Sequence, residues 1–167
     1  SKLWYTYAMQ TVVGVLRGGP SRSREHEVSL QTGAAMLAAL PEERYTARDI
    51  YIDKEGVWHD RGRVTAPERV LRQVDVALIG LHGEYGEDGE VQKLLERFGV
   101  PYGGADSFGS YLAMHKLMAK VRAKEAGLLT PESQYVERIE DGEAAAHHII
   151  RNFHQPVIVK PVGWGSS

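Results

Sequence analysis

The sequence predicts an α/β fold built on an open parallel sheet, and three observations carry that prediction. Thr11-Val12-Val13-Gly14-Val15-Leu16 and Val76-Ala77-Leu78-Ile79 are apolar runs without alternation, the pattern of strands buried on both faces. Each run ends in a glycine-rich polar loop: Arg17-Gly18-Gly19-Pro20 after the first, His82-Gly83-Glu84-Tyr85-Gly86-Glu87-Asp88-Gly89 after the second. Each loop leads into a stretch whose apolar residues keep helical spacing. Strand, tight loop and helix form the repeating unit of doubly wound sheets, and ligands of such sheets bind at the carboxyl ends of the strands.

Taken in order, the first strand and its loop are followed by a polar stretch, residues 21–27, and a helix over 28–40 with Leu30, Ala34, Leu37 and Ala38 on one face and Pro41 just past its end. Glu25-His26-Glu27 does not read as a metal site, because adjacent residues rarely converge on one ion. Residues 45–52 read as a strand, and Asp53-Lys54-Glu55-Gly56 as a hairpin turn before Val57-Trp58. Thr65-Ala66-Pro67 opens a short helix carrying Val70, Leu71 and Val74, which returns the chain to the strand at Val76. After the acidic loop, Val91, Leu94, Leu95 and Phe98 mark a helix with Asp88 placed to cap it and Gly99 to end it. Val100-Pro101-Tyr102-Gly103-Gly104 closes this unit.

The remainder reads differently. Asp106 or Ser107 caps a helix from Phe108 along which Leu112, Lys116 and Lys120 lie, and a second amphipathic stretch runs to Ala126 with Gly127 at C′. Leu128-Leu129-Thr130-Pro131 is a linker, residues 134–136 a strand, and 141–152 a helix on which His147 and His148 are exposed. Residues 155–161 read as a buried strand ending in Lys160, followed by the loop Val162-Gly163-Trp164-Gly165-Ser166-Ser167. A lysine ending an apolar strand is costly to bury unless an anion meets it. Glycines followed by hydroxyls supply N–H and O–H donors to phosphate oxygens.

Composition narrows the function classes. A net charge of −2 with no basic stripe argues against a nucleic-acid partner. With no cysteine there are no disulfides and no thiolate metal sites, which suits the cytoplasm. No apolar run approaches the ~20 residues needed to span a bilayer, and residues 1–8 lack the pattern of a signal peptide. Met9 reads as the natural start, with 1–8 an extension.

Four stretches together resemble the D-alanine–D-alanine ligase family. LHGEYGEDGEVQKLLERFGVPYGG is similar to its HG-x-x-GEDG motif with the helix and short strand that follow, and GGPSRSREHEVSLQTG to its first motif, with a loop longer by about two residues and Thr32 where serine is frequent. Met114-His115-Lys116 resembles its M-D-K, with His115 replacing a carboxylate. VIVKPVGWGSS resembles its V-x-V-K-P-x-x-x-GSS, with Trp164 at a position commonly polar or acidic.

The resemblance implies a Rossmann-like (preATP-grasp) domain over 9–104, connecting helices over 105–127, and the start of an ATP-grasp α+β lobe over 128–167. It implies ATP-dependent joining of two D-alanines through an acyl phosphate, for peptidoglycan precursors. In that scheme Glu25 meets the ammonium of the first D-alanine, His82 orients this substrate, and Lys116 and Lys160 hold ATP phosphates. Ser166 joins the network around Glu25 and the nucleotide. Mg²⁺ is a further cofactor, with its ligands expected beyond residue 167 and none within. A homodimer is the implied assembly. The likeness covers about the first half of a typical family member, so an inactive N-terminal part is expected. Two other readings remain: a related ligase with D-lactate or D-serine as second substrate, and a non-catalytic Rossmann-like binding or dimerisation module.

Overall fold

The computed structural model describes residues 10–20, 25–137, 142–153 and 156–164. Its chain divides into two compact units, one through Tyr111 and the other from Leu112.

The first unit is a five-stranded sheet with helices on both faces. Strand β1 (Thr11–Gly18) is central, paired in parallel with β2 (Tyr45–Ile52) on one side and with β5 (Val76–Ile79) on the other. Strands β3 (Trp58–Asp60) and β4 (Arg63–Val64) continue the sheet antiparallel beyond β2, giving the order β4-β3-β2-β1-β5. A parallel bridge between Ala77 and Tyr102 extends it past β5. The antiparallel edge is the hairpin expected at Asp53: Asp53 Oδ1 accepts from the backbone N–H of Glu55 (3.1 Å) and Val57 (2.8 Å).

Helix α1 (Glu25–Ala39) covers one face and α2 (Pro67–Leu71) with α3 (Glu90–Arg97) the other. The residues of β1 alternate between them. Leu16 joins Ile50, Ile52, Val70, Leu71, Val74, Val91 and Leu95 in the core on the α2/α3 side, and Arg17 lies under α1, beside Gly33. Helix α3 closes with a Schellman arrangement: Val100 N–H donates to the Leu95 carbonyl and Gly99 N–H to that of Glu96, both at 3.0 Å, while Leu95 and Val100 are both buried.

Three expectations are corrected here. Helix α1 begins by Glu25, not Val28, so Glu25 stands in its first turn. Two acids there are favoured by the helix dipole, and His26 is drawn inward to the Gly19 carbonyl (Nδ1 to O, 2.7 Å). The buried face of α1 is accordingly His26, Ser29 and Gly33, while Ala34 and Ala38 are exposed. Strand β5 is buried only at Ala77 and half-buried elsewhere, because a single bridge, not a full strand, flanks its outer edge.

The second unit contains the end of α4 (Ser107–Met114), then α5 (Lys116–Glu125) and α6 (Gly142–Asn152), with no strand among its described residues. The continuous helix expected through Lys116 is broken at His115, whose extended backbone and side chain cap α5: its Nδ1 accepts from the Met118 N–H at 3.4 Å. Gly127 ends α5 at the expected C′ position, and His147 and His148 are exposed as expected. Residues 134–136 and 156–160 are exposed coil rather than strands, with Ile158 81% and Val159 87% exposed. A β-strand needs a neighbour for its backbone groups, and the described residues of this unit offer none.

Candidate functional site

The parallel strands place the site. Strand β1 connects through α1 to β2 on one side, while its other neighbour, β5, enters from α2. After β1 the chain goes to β2 on one side, and after β5 to the bridge at Tyr102 on the other. It thus leaves the two strands in opposite directions, the arrangement that opens a crevice at strand carboxyl ends in open α/β sheets. Two loops meet there, Gly18–Pro20 after β1 and Gly80–Gly89 after β5.

Glu25 and the loop after β5 come together at this crevice. Gly83, at φ +70°, lies so close to the Glu25 carboxylate that a Cβ added to it would overlap that carboxylate. Only glycine satisfies both the backbone angle and the contact. His82, its neighbour, is half-buried and held twice by α1. Its backbone N–H donates to Ser29 Oγ (2.8 Å), and its Nε2 lies 2.8 Å from Thr32 Oγ1. Ser29 and Thr32 are three residues apart and so share one face of α1. Ser29 lies within the first motif but is not singled out there as a site residue; its place beside His82 follows from a helix that starts earlier than the apolar pattern shows.

The acidic residues of the loop hold its shape. Glu87 Oε2 accepts from the Gly83 N–H (2.7 Å), and Asp88 accepts from the N–H groups of Tyr85 (2.8 Å) and Glu90 (3.0 Å). The cap of α3 is Gly89 and not Asp88 as expected; Asp88, one position before it, still accepts from the first N–H of the helix. Tyr85 sits at φ +70°, and its hydroxyl accepts from Trp58 Nε1 at 3.3 Å. Burial pushes the Tyr85 phenol above its ordinary range. Glu25 thus stands against the Gly83 backbone in the first turn of α1, where the helix dipole favours a carboxylate.

In the second unit Lys116 is fastened to the segment that follows Lys160. Its backbone N–H donates to the Val162 carbonyl (3.0 Å) and its Nζ to that of Trp164 (2.5 Å). The segment just after Lys160 is thus bonded to Lys116, while Lys160 itself lies in exposed coil without a sheet partner among the described residues. Ser166 lies outside the described residues. Among the described residues no three or more acidic or histidine side chains converge to hold a metal ion, so the residues present do not fit a Mg²⁺ site.

The family model described as D-ala D-ala ligase N-terminus matches residues 12–69 and 60–105, the stretch that builds this crevice. The chain belongs to the D-alanine–D-alanine ligase family. It is 40% identical to the D-alanine–D-alanine ligase of Geobacter sulfurreducens over 94% of this chain and 45% of that protein. Against the corresponding ligase of Geotalea uraniireducens the identity is 43%, over 93% and 45%. Solved ligase structures are similar as well. The VanG D-Ala:D-Ser ligase from Enterococcus faecalis gives a TM-score of 0.77 at 29% identity over 94% of this chain and 53% of that one. The D-alanine–D-alanine ligase from Bacillus anthracis complexed with ATP gives 0.60 at 30% identity, over 78% and 44%. The chain spans about half the length of the curated ligases it matches. Among its described residues no helix is long and apolar enough to cross a membrane.

Proposed function

We propose that this chain supplies the first-substrate subsite and part of the nucleotide site of a cytoplasmic, dimeric D-alanine–D-alanine ligase. The observation that carries the reading is the contact of the Glu25 carboxylate with the Gly83 backbone, beside a His82 held by Ser29 and Thr32. Glu25 receives the ammonium of the first D-alanine, and His82 orients that substrate. Lys116 and Lys160, with Ser166, bind ATP phosphates; charge neutralisation by such groups is the main protein contribution to phosphoryl transfer. ATP supplies the phosphoryl group that activates the D-alanine carboxylate, and the amine of a second D-alanine displaces it. The similarity to an ATP-complexed ligase supports the nucleotide assignment. No step is assigned to Mg²⁺ through this chain's own residues.

The test is Glu25→Gln in a ligase carrying this chain. Loss of a charged hydrogen bond weakens first-site D-alanine binding by about 1.5–3 kcal/mol, read as a raised first-site KM. An unchanged KM refutes the assignment. The similarity to a D-Ala:D-Ser ligase favours a second reading, with D-serine as acceptor; product analysis with D-alanine, D-serine and D-lactate separates the acceptors.

A further inference from the structure

A cavity of about 580 Å³ opens on the α2 face of the sheet, lined by Arg48, Arg61, Arg63, Arg69, Asp60 and Gln73 among others. It lies at the other end of the sheet from Glu25. Arg48 pairs with Gly14 in mid-strand, and the β3–β4 turn at Arg61-Gly62 points back toward the start of β2.

Arg48 forms the wall of the cavity and is nine-tenths buried. Its guanidinium makes two bonds to Asp60 (2.9 and 2.6 Å) and two to Gln73 Oε1 (both 3.2 Å). Arginine has five N–H donors, so one on Nη1 has no acceptor among the described residues. Arg61, Arg63 and Arg69 come from the turn, from β4 and from α2, and form no ion pair among the described residues. Four arginines against one aspartate leave three positive charges around one concave space.

The turn adds an independent observation. Arg61 and Gly62 both have positive φ (52° and 75°) between the paired Asp60 and Arg63, which is the two-residue hairpin turn that asparagine, aspartate or glycine ordinarily fills. An arginine there accepts a disfavoured backbone angle while placing a third cation beside the other two.

The geometry points to a second ligand site, in which Arg61, Arg63 and Arg69, backed by Arg48, bind a small polyphosphate anion. Guanidinium forks match phosphate oxygens in pairs, and a diphosphate group carries about the charge that the lining leaves uncompensated. The site is independent of the ligase reading, because it shares no residue with the crevice or with the lysines assigned to ATP.

Calorimetric titration of the 167-residue chain with inorganic pyrophosphate at low ionic strength tests it. Saturable one-to-one binding is expected, weakened about tenfold by Arg63→Gln or Arg69→Gln, the effect of losing one charged hydrogen bond. Arg61→Gly is expected to weaken binding similarly while leaving the melting temperature unchanged or raised, since glycine suits that turn. Lys160→Gln and Glu25→Gln are expected to leave this binding intact. Parallel titrations of the Lys160→Gln chain with ADP and with pyrophosphate identify the source: ADP binding that is tighter and is lost in the triple arginine variant specifies a nucleotide, tighter pyrophosphate binding an inorganic anion. No saturable binding, or binding that survives the triple arginine variant, or binding lost in Lys160→Gln, overturns the proposal.

Discussion

Two apolar runs of similar composition meet opposite fates in this chain. Val12–Leu16 in β1 has a parallel neighbour on each side and a helical layer on each face, and Val15 and Leu16 are wholly buried. Val157–Val159 is coil, unpaired among the described residues and largely exposed. The difference lies in the surroundings, since both runs are rich in β-branched residues that favour strands. Hydrophobic sequence specifies a strand only when the chain also supplies the neighbours that accept its backbone hydrogen bonds.

Amide exchange should give the largest separation between the two regions. The amides of β1 are expected to exchange only through global unfolding, at least about a thousandfold more slowly than those of 157–160; equal protection would break the comparison. Ion pairs offer a sharper version. Arg48–Asp60 in the first unit is nearly closed to solvent, with side chains 9% and 11% exposed, whereas Arg122–Glu125 in the second is more than half exposed on both sides. Asp60→Ala leaves a buried guanidinium uncompensated and should cost about 3–5 kcal/mol in chemical denaturation. Glu125→Ala should cost no more than about 0.5 kcal/mol.

The buried pair also has a pH signature. The Arg48 guanidinium, bonded to Asp60, holds that carboxyl below the ordinary carboxylate range, with burial opposing the shift. A group whose value is lowered on folding stabilises above its unfolded value and loses that contribution as acid titrates it in the folded state. Stability should therefore fall as pH drops below about 4, and Asp60→Asn should flatten that slope. Core truncation completes the set: Leu16→Ala is expected to cost about 2–5 kcal/mol, and Ile158→Ala to stay within about 0.5 kcal/mol.

Much of the first unit was legible in the sequence because its signals are local. The bounds of β2, the hairpin at Asp53, the start of the short helix at Pro67 (which ends at Leu71, before the expected Val74) and the end of α3 at Gly99 each follow from residues within one or two turns of the feature. The start of α1 was not, because its inward residues, His26, Ser29 and Gly33, are polar or small and give no apolar period. The contacts of Ser29 and Thr32 with His82 were not legible for a different reason: their partner is about 50 residues away, and only the crossing of α1 over the carboxyl ends of the sheet brings them into range. Motif resemblance singled out Glu25 and His82, but their adjacency through Gly83 is a property of the tertiary fold. The strands expected at 134–136 and 155–161 failed because periodicity reports a strand's composition and says nothing of its pairing.

Gly33 sets a mechanical constraint on the crevice. It rests against the Arg17 side chain, and a Cβ added at Gly80 would come within 3.1 Å of its Cα, so helix and sheet are separated there by little more than backbone. That crossing acts as a fulcrum. Thr32 and Ser29 sit one and four residues from it, and Glu25 lies eight residues, about two turns and roughly 12 Å, from it along the same helical rod. A methyl group at Gly33 would not touch any of these side chains, yet it would wedge the rod outward and tilt all three together. The alignment of the crevice is thus gauged at a point where the helix itself contributes no side chain.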